Sequence, residues 1–175
     1  MKKLLALLLF PLLAAGCTKG EGVIEEMDGP DGVVLEAYMD LRVSDKQGHD
    51  LLDSVFQSPQ SVDLSKVKIY FVKDGKEELF YRENLDASRG YFLITPEGTR
   101  FYHSLRIFFN IESNEKITTT ILDWGDGHRD VFKTEFRRFG SANISMVQTK
   151  IWLNEELIWD QKKAGDKAPE YEITR

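Results

Sequence analysis

Residues 117–136, Ile117-Thr118-Thr119-Thr120-Ile121-Leu122-Asp123-Trp124-Gly125-Asp126-Gly127-His128-Arg129-Asp130-Val131-Phe132-Lys133-Thr134-Glu135-Phe136, carry the pattern that decides the fold. The first six are rich in β-branched side chains, which suit a pleated, half-buried surface better than a helix. Trp124 to Gly127 supplies a turn in which two glycines can take positive φ. Asp130 to Phe136 then runs back with apolar and polar residues alternating. The segment reads as two antiparallel strands about a tight connection, and its neighbours must supply further sheet partners.

They do so on both sides. Val33 to Val43 places Leu35, Ala37, Met39, Leu41 and Val43 on one face, with Glu36, Tyr38, Asp40 and Arg42 on the other. Val67, Ile69 and Phe71 alternate with lysines and Tyr70, and Asp74-Gly75 turns the chain into Leu79-Phe80-Tyr81, a strong hairpin signal. Gly90 to Thr95 is a strand, and Leu105, Ile107, Phe109 and Ile111 form another alternating face. Ile144 to Leu153 and Leu157 to Trp159 make a last hairpin through Asn154-Glu155-Glu156. Between Ser44 and Leu64 the pattern is that of a loop, with room for one helical turn around Leu51 to Phe56. The expected fold is all-β: a single antiparallel β-sandwich, immunoglobulin-like or transthyretin-like, of about seven to nine strands.

The N-terminus has a different character. Met1-Lys2-Lys3 is followed by an apolar run to Leu13 and the small residues Ala14-Ala15-Gly16, the order of a secretory signal. The run is about ten residues long and contains Pro11, whereas a membrane-spanning helix needs about 20 apolar residues. Cys17 follows directly and is the only cysteine in the 175 residues, so no internal disulfide can form. The stretch Leu12-Leu13-Ala14-Ala15-Gly16-Cys17 resembles the bacterial lipobox, with Ala14 where leucine is usual. That resemblance implies cleavage between Gly16 and Cys17, lipidation of Cys17 and membrane contact through the lipid anchor. Thr18 to Gly32, TKGEGVIEEMDGPDG, has four glycines and no aromatic residue, the composition of a tether. The implied organisation is a signal peptide at 1–16, a lipidated N-terminus and acidic tether at 17–32, a β-domain at 33–160 and a charged tail at 161–175, with Tyr171 to Thr174 either frayed or an edge strand.

Charge narrows the partners. The 23 basic and 29 acidic residues give −6; loss of Lys2 and Lys3 leaves 21 against 29, or −8. Such a chain does not neutralise phosphates, so its charge argues against nucleic acid as a partner, and anionic headgroups offer little attraction.

Motifs for chemistry are sparse, and neither a catalytic residue nor a metal or cofactor ligand is assigned. Asp123, Asp126 and Asp130 crowd the turn as a calcium loop requires, but Gly125, Gly127 and Thr134 stand where an EF-hand wants ligands. The Trp124-Gly-Asp-Gly turn resembles that of PKD-type modules with a shorter spacing. His49, His103 and His128 share no metal-ligand spacing. Ser113-Asn114-Glu115-Lys116 matches the Ser-x-x-Lys letters of acyl-serine enzymes, yet lies between two expected strands. Aromatics are the excess, with 11 Phe, 6 Tyr and 3 Trp, and many come as adjacent pairs, so both faces of several strands carry rings. Tyr70, Tyr81, Tyr91, Phe108 and Trp124 are the candidate exposed binding surface.

Taken whole, the chain resembles small Bacteroidales-type cell-envelope lipoproteins, in which a lipobox and short acidic tether precede one β-sandwich. The resemblance implies an outer-membrane or surface location and a non-enzymatic binding or structural role toward a glycan, a peptide or another envelope protein. The alternative is a hydrolase or metal-dependent enzyme whose site is assembled from separated loops.

Overall fold

The computed structural model describes residues 33–56, 58–140 and 145–175. The expected signal peptide, the expected cleavage and lipidation at Gly16 and Cys17, and the expected tether lie outside the described residues. The described chain is all-β apart from one helical turn. Strands β1 (Leu35–Glu36), β2 (Tyr38–Ser44), β3 (Lys68–Lys73) and β4 (Lys76–Leu79) are followed by β5 (Tyr91–Ile94), β6 (Ser104–Phe108), β7 (Ile117–Asp123), β8 (Arg129–Phe139), β9 (Ser145–Leu153) and β10 (Glu156–Asp160). The chain closes with α1 (Gln161–Ala164) and β11 (Glu170–Thr174). Sheet A has the order β1-β9-β8-β7-β3-β4, with β10 also on β9, and sheet B the order β11-β2-β6-β5.

The deciding segment folds as its pattern requires. β7 and β8 pair antiparallel from Ile117↔Glu135 to Asp123↔Arg129, and the turn closes with Trp124 N donating to His128 O at 3.1 Å. Gly125 and Gly127 hold φ of 77° and 93°. Asp74-Gly75, at φ 50° and 74°, likewise joins β3 to β4.

Eleven strands are described, more than the sequence suggested, and the surplus arises at two crossings between the sheets. The expected single strand from Val33 to Val43 is broken at Ala37: β1 lies beside β9 in sheet A, and β2 belongs to sheet B. Leu35, expected on the apolar face, is consequently 55% exposed. After β10 the chain crosses back through α1, and β11 joins sheet B as an edge strand. Glu170 to Thr174 therefore belongs to the folded body. These crossings create two parallel pairings, β1 with β9 and β2 with β11, where only antiparallel ones were expected. A chain re-entering a sheet after a crossover can run in the direction of its neighbour, as a tight hairpin cannot. No helix forms between Leu51 and Phe56; that stretch is turns and bends.

One core joins the two sheets. Met39, Leu41, Val43, Leu105 and Ile107 of sheet B pack in a single cluster with Ile69, Phe71, Leu122, Phe132, Phe136 and Ile151 of sheet A. Phe109 and Phe132 lie across it with centroids 5.8 Å apart. Burial at period two on both inner faces is the sequence pattern expressed as packing.

Thr118 and Thr134 are register partners in β7 and β8, buried at 1% and 0% exposure. Neither Oγ1 has a hydrogen-bond partner among the described residues. Each desolvated hydroxyl opposes folding, and valine has nearly the same shape without that cost. Thr118→Val with Thr134→Val is expected to raise stability by about 1 kcal/mol, read as a higher urea midpoint at unchanged slope.

The rim carries an ion cluster that responds to pH. Glu112 meets Lys73 and Arg82, the latter at 2.7 Å. Partial burial opposes ionisation of Glu112, but these two cations outweigh it and hold the carboxyl below its usual range. Lys73 is held above its usual range, first by the hydrogen bond to Glu112 and then by Glu78. A depressed carboxyl stabilises fully above its ordinary pKa of about 4.3 and loses that contribution as pH falls through the lower folded value. The raised lysine contributes below about pH 10.4 and loses its share as pH rises past it. Glu112→Gln is expected to make the loss of thermal stability between neutral pH and pH 3 less steep (about one carboxylate's worth).

Candidate functional site

The outward residues of sheet B follow from strand parity. β2 turns Met39, Leu41 and Val43 into the core, so Tyr38, Asp40 and Arg42 point out. On β6 the outward positions are Ser104, Arg106 and Phe108, and on β5 they are Phe92 and Ile94. Register sets Asp40 opposite Arg106, Tyr38 opposite Phe108 and Phe92 opposite Arg106. The sequence thus builds a contiguous face of rings around one guanidinium.

Its geometry is specific. Arg106 lies over the Tyr38 ring at 4.1 Å and over the Phe92 ring at 5.7 Å. Phe108 packs beside both rings, with centroids 5.8 Å from Phe92 and 6.5 Å from Tyr38. Below, Asp40 is 4% exposed and accepts from Arg106 Nε at 2.7 Å and Nη2 at 2.9 Å. That hydrogen-bonded carboxylate holds the guanidinium pKa above its ordinary value, against the opposing effect of burial. Arg100, from the β5–β6 loop, reaches Asp40 at 3.5 Å and donates to Ser104 Oγ at 2.8 Å. Tyr102 is flanked by Arg42 at 4.8 Å and Arg100 at 5.9 Å. Its hydroxyl donates to Glu170 at 2.5 Å, a bond that with burial raises the phenol pKa. Two ion-paired guanidinium–ring stacks fix side chains that would otherwise be mobile, so little ordering entropy remains to be lost on binding.

Of the five aromatics singled out from the sequence, only Phe108 belongs to this face. Tyr70 points from the opposite side of the molecule, on the outer face of sheet A, with Arg129 5.1 Å over its ring. Tyr81 lies beyond the end of β4 and is 56% exposed. Tyr91 turns inward, and its hydroxyl donates to Leu64 O at 2.7 Å. Trp124 is 2% exposed and donates from Nε1 to Asp130 at 2.8 Å, so it is a core residue and not a binding surface. Tyr38, Phe92 and Arg106 escaped the sequence reading. Their signal was the register between β2, β6 and β5, which period alone does not supply.

The end at which β2 finishes gathers all three histidines, each against an aspartate: His49 with Asp45 at 2.7 Å, His103 with Asp50 at 2.9 Å and His128 with Asp130 at 3.2 Å. These are separate pairs, and among the described residues no three histidine, cysteine or acidic side chains converge as metal ligands do. The carboxylates of the supposed calcium loop are engaged elsewhere. Asp123 accepts from Gly125 N and Asp126 from His128 N, while Asp130 accepts from Trp124, His128 and Asn154. Ser113 to Lys116 forms a turn in which Ser113 Oγ accepts from Glu115 N. No helix among the described residues is long and apolar enough to cross a membrane.

No protein-family model, no curated protein and no solved structure matches this chain.

Proposed function

We propose that the chain is a lipid-anchored, non-enzymatic docking module of the bacterial cell envelope, held at the membrane through Cys17. Its outer face on sheet B takes an extended segment of a partner protein. The observation that carries this reading is the Tyr38–Arg106–Phe92–Phe108 face, which adjoins an edge. β5 has a strand partner, β6, on one side, and it ends the sheet order. A partner strand added at β5 gains main-chain hydrogen bonds from the edge and lays alternate side chains over Phe92 and Arg106. Aromatic residues and arginine are enriched in protein interfaces, and tyrosine and arginine are among the residues that concentrate binding energy there. Arg106 and Arg100 are answered by Asp40, and Arg42 by Glu172 at 3.3 Å, so the face favours an apolar segment over an acidic one.

The anchor rests on the lipobox-like sequence, and the acidic body, lacking its own pull toward headgroups, needs one. We read the stacked sheets as an immunoglobulin-like or transthyretin-like sandwich altered by two parallel edge pairings; the single core between the inner faces supports this.

Photocrosslinking in cells tests the docking face. A photoreactive phenylalanine analogue at Phe92 of the full chain is expected to give a defined adduct with one envelope protein, which disappears with Arg106→Glu. The same probe at Tyr70 should not give that adduct. Equal adducts from both positions, or none from Phe92, would overturn the reading. Mass spectrometry of the membrane-extracted protein tests the anchor, with an acyl mass expected at Cys17 and absent from Cys17→Ala.

A further inference from the structure

β5 is an edge strand with the sequence of a central one. Its residues, Tyr91-Phe92-Leu93-Ile94, are all apolar or aromatic, bounded by Gly90 and by Thr95-Pro96. An unbroken apolar run between turn residues is the pattern of a strand covered on both faces. Strands left at an edge ordinarily carry a charge, a proline or a bulge that blocks further pairing. The other strands that end a sheet order do so: β1 has Glu36, β4 has Lys76, Glu77 and Glu78, and β11 has Glu170 and Glu172. Among these four strands β5 alone has no charged side chain.

Register determines what the open side offers. Phe108 N donates to Gly90 O at 2.9 Å, one step before Tyr91↔Ile107 in the antiparallel ladder. Hydrogen-bonded pairs in such a ladder recur at every second residue. Phe92 and Ile94 therefore bond to β6, and the N–H and C=O of Tyr91 and Leu93 turn to the open side. Side chains divide by face. Tyr91 and Leu93 point inward with their partners Ile107 and Leu105, but they are only half-buried where those partners are at 0% exposure. Phe92, 36% exposed, and Ile94 point outward.

We infer that the segment docking at β5 is a short run of consecutive apolar residues, apolar on both faces and bonded through its main chain to Tyr91 and Leu93. This rests on the docking reading and narrows it to a class of partner sequence. One row of the segment's side chains lies over Phe92 and Ile94 on the ring face, and the other continues the core past Tyr91 and Leu93. A polar residue in the second row loses water at the core border without gaining a partner. The open N–H and C=O groups call for a polypeptide strand, which answers both in register. A second copy of this chain is disfavoured, because two chains of net charge −6 repel on close approach.

Amide resonances of the isotope-labelled full chain in lipid nanodiscs provide the test, with three synthetic peptides that share flanking lysines. The first carries Val-Ile-Val-Ile, the second Val-Ser-Val-Ser, and the third is the first with its central amides N-methylated. The first is expected to shift the Tyr91 and Leu93 amides saturably and slow their exchange with solvent. The second should bind there about tenfold more weakly, and the third not at all. Equal affinity of the first two peptides at β5 overturns the two-faced segment and leaves strand docking intact. If no peptide perturbs β5, or the N-methylated one does so equally, strand docking itself fails and the inference with it. Shifts of the β5 amides with protein concentration alone would make a second copy the occupant and overturn the inference as well.

Discussion

Replacing Gly125 by alanine is expected to destabilise the protein by about 3 kcal/mol, the sum of backbone strain and steric overlap. Gly125 holds φ at 77°, where an L side chain is strained, and an added Cβ would sit 2.8 Å from the Lys66 carbonyl oxygen as well as against the Lys66 side chain. That neighbour is backbone of the β2–β3 loop and cannot rotate away. By contrast, Gly127 in the same turn, at φ 93°, has nothing within 4 Å of such a Cβ. Gly127→Ala therefore suffers only the backbone strain, about 1 kcal/mol. Thermal unfolding distinguishes the two: a fall of roughly 10 °C for Gly125→Ala, and a third of that for Gly127→Ala.

Asp40→Ala is expected to be the most destabilising change on the proposed docking face. It strips a buried carboxylate from beneath Arg106 and Arg100, leaving two guanidinium groups against one another without their shared counter-charge. Arg106 keeps 27% side-chain exposure, so water recovers part of the loss. The expected destabilisation is about 2 kcal/mol, below the range for a fully buried pair. Arg106 also loses the bidentate bond that seats it over Tyr38, so the Phe92 crosslink should fall with it. Phe92→Arg, at the exposed edge strand, should abolish docking while melting within a few degrees of wild type. A large stability loss from Phe92→Arg would mean that the ring serves packing and not recognition.

How much of this was legible from the residues varies with the range of the interaction. The β7–β8 hairpin was visible because its β-branched run, two glycines and alternating return are all local. The turns at Asp74-Gly75 and Asn154-Glu155 were visible for the same reason, with positive φ at each of these residues. The break at Ala37 was hidden, because the alternation of β1 and β2 runs through it without interruption while the chain changes sheets. The ring face was half visible. Adjacent aromatics announce that one ring points out, but not which: of Tyr91 and Phe92, the structure turns Phe92 outward and buries Tyr91 against the Leu64 carbonyl. A one-residue error of parity exchanges the two faces. Trp124 misled for another reason, since a tryptophan at a turn can cap the core from outside. Here Asp130 and the sheet end draw it in. The bond from Gln148 to Tyr38 had no local signal, because it joins residues 110 positions apart.

The most direct test of the docking account is amide hydrogen exchange of the full chain in its native membranes, compared with the same chain purified in detergent. If a partner strand adds to sheet B, the amides of Tyr91 to Ile94 gain protection in the membrane sample while those of β4, the charged edge of sheet A, exchange equally in both. Unchanged exchange at β5, or protection appearing at β4 instead, would contradict it.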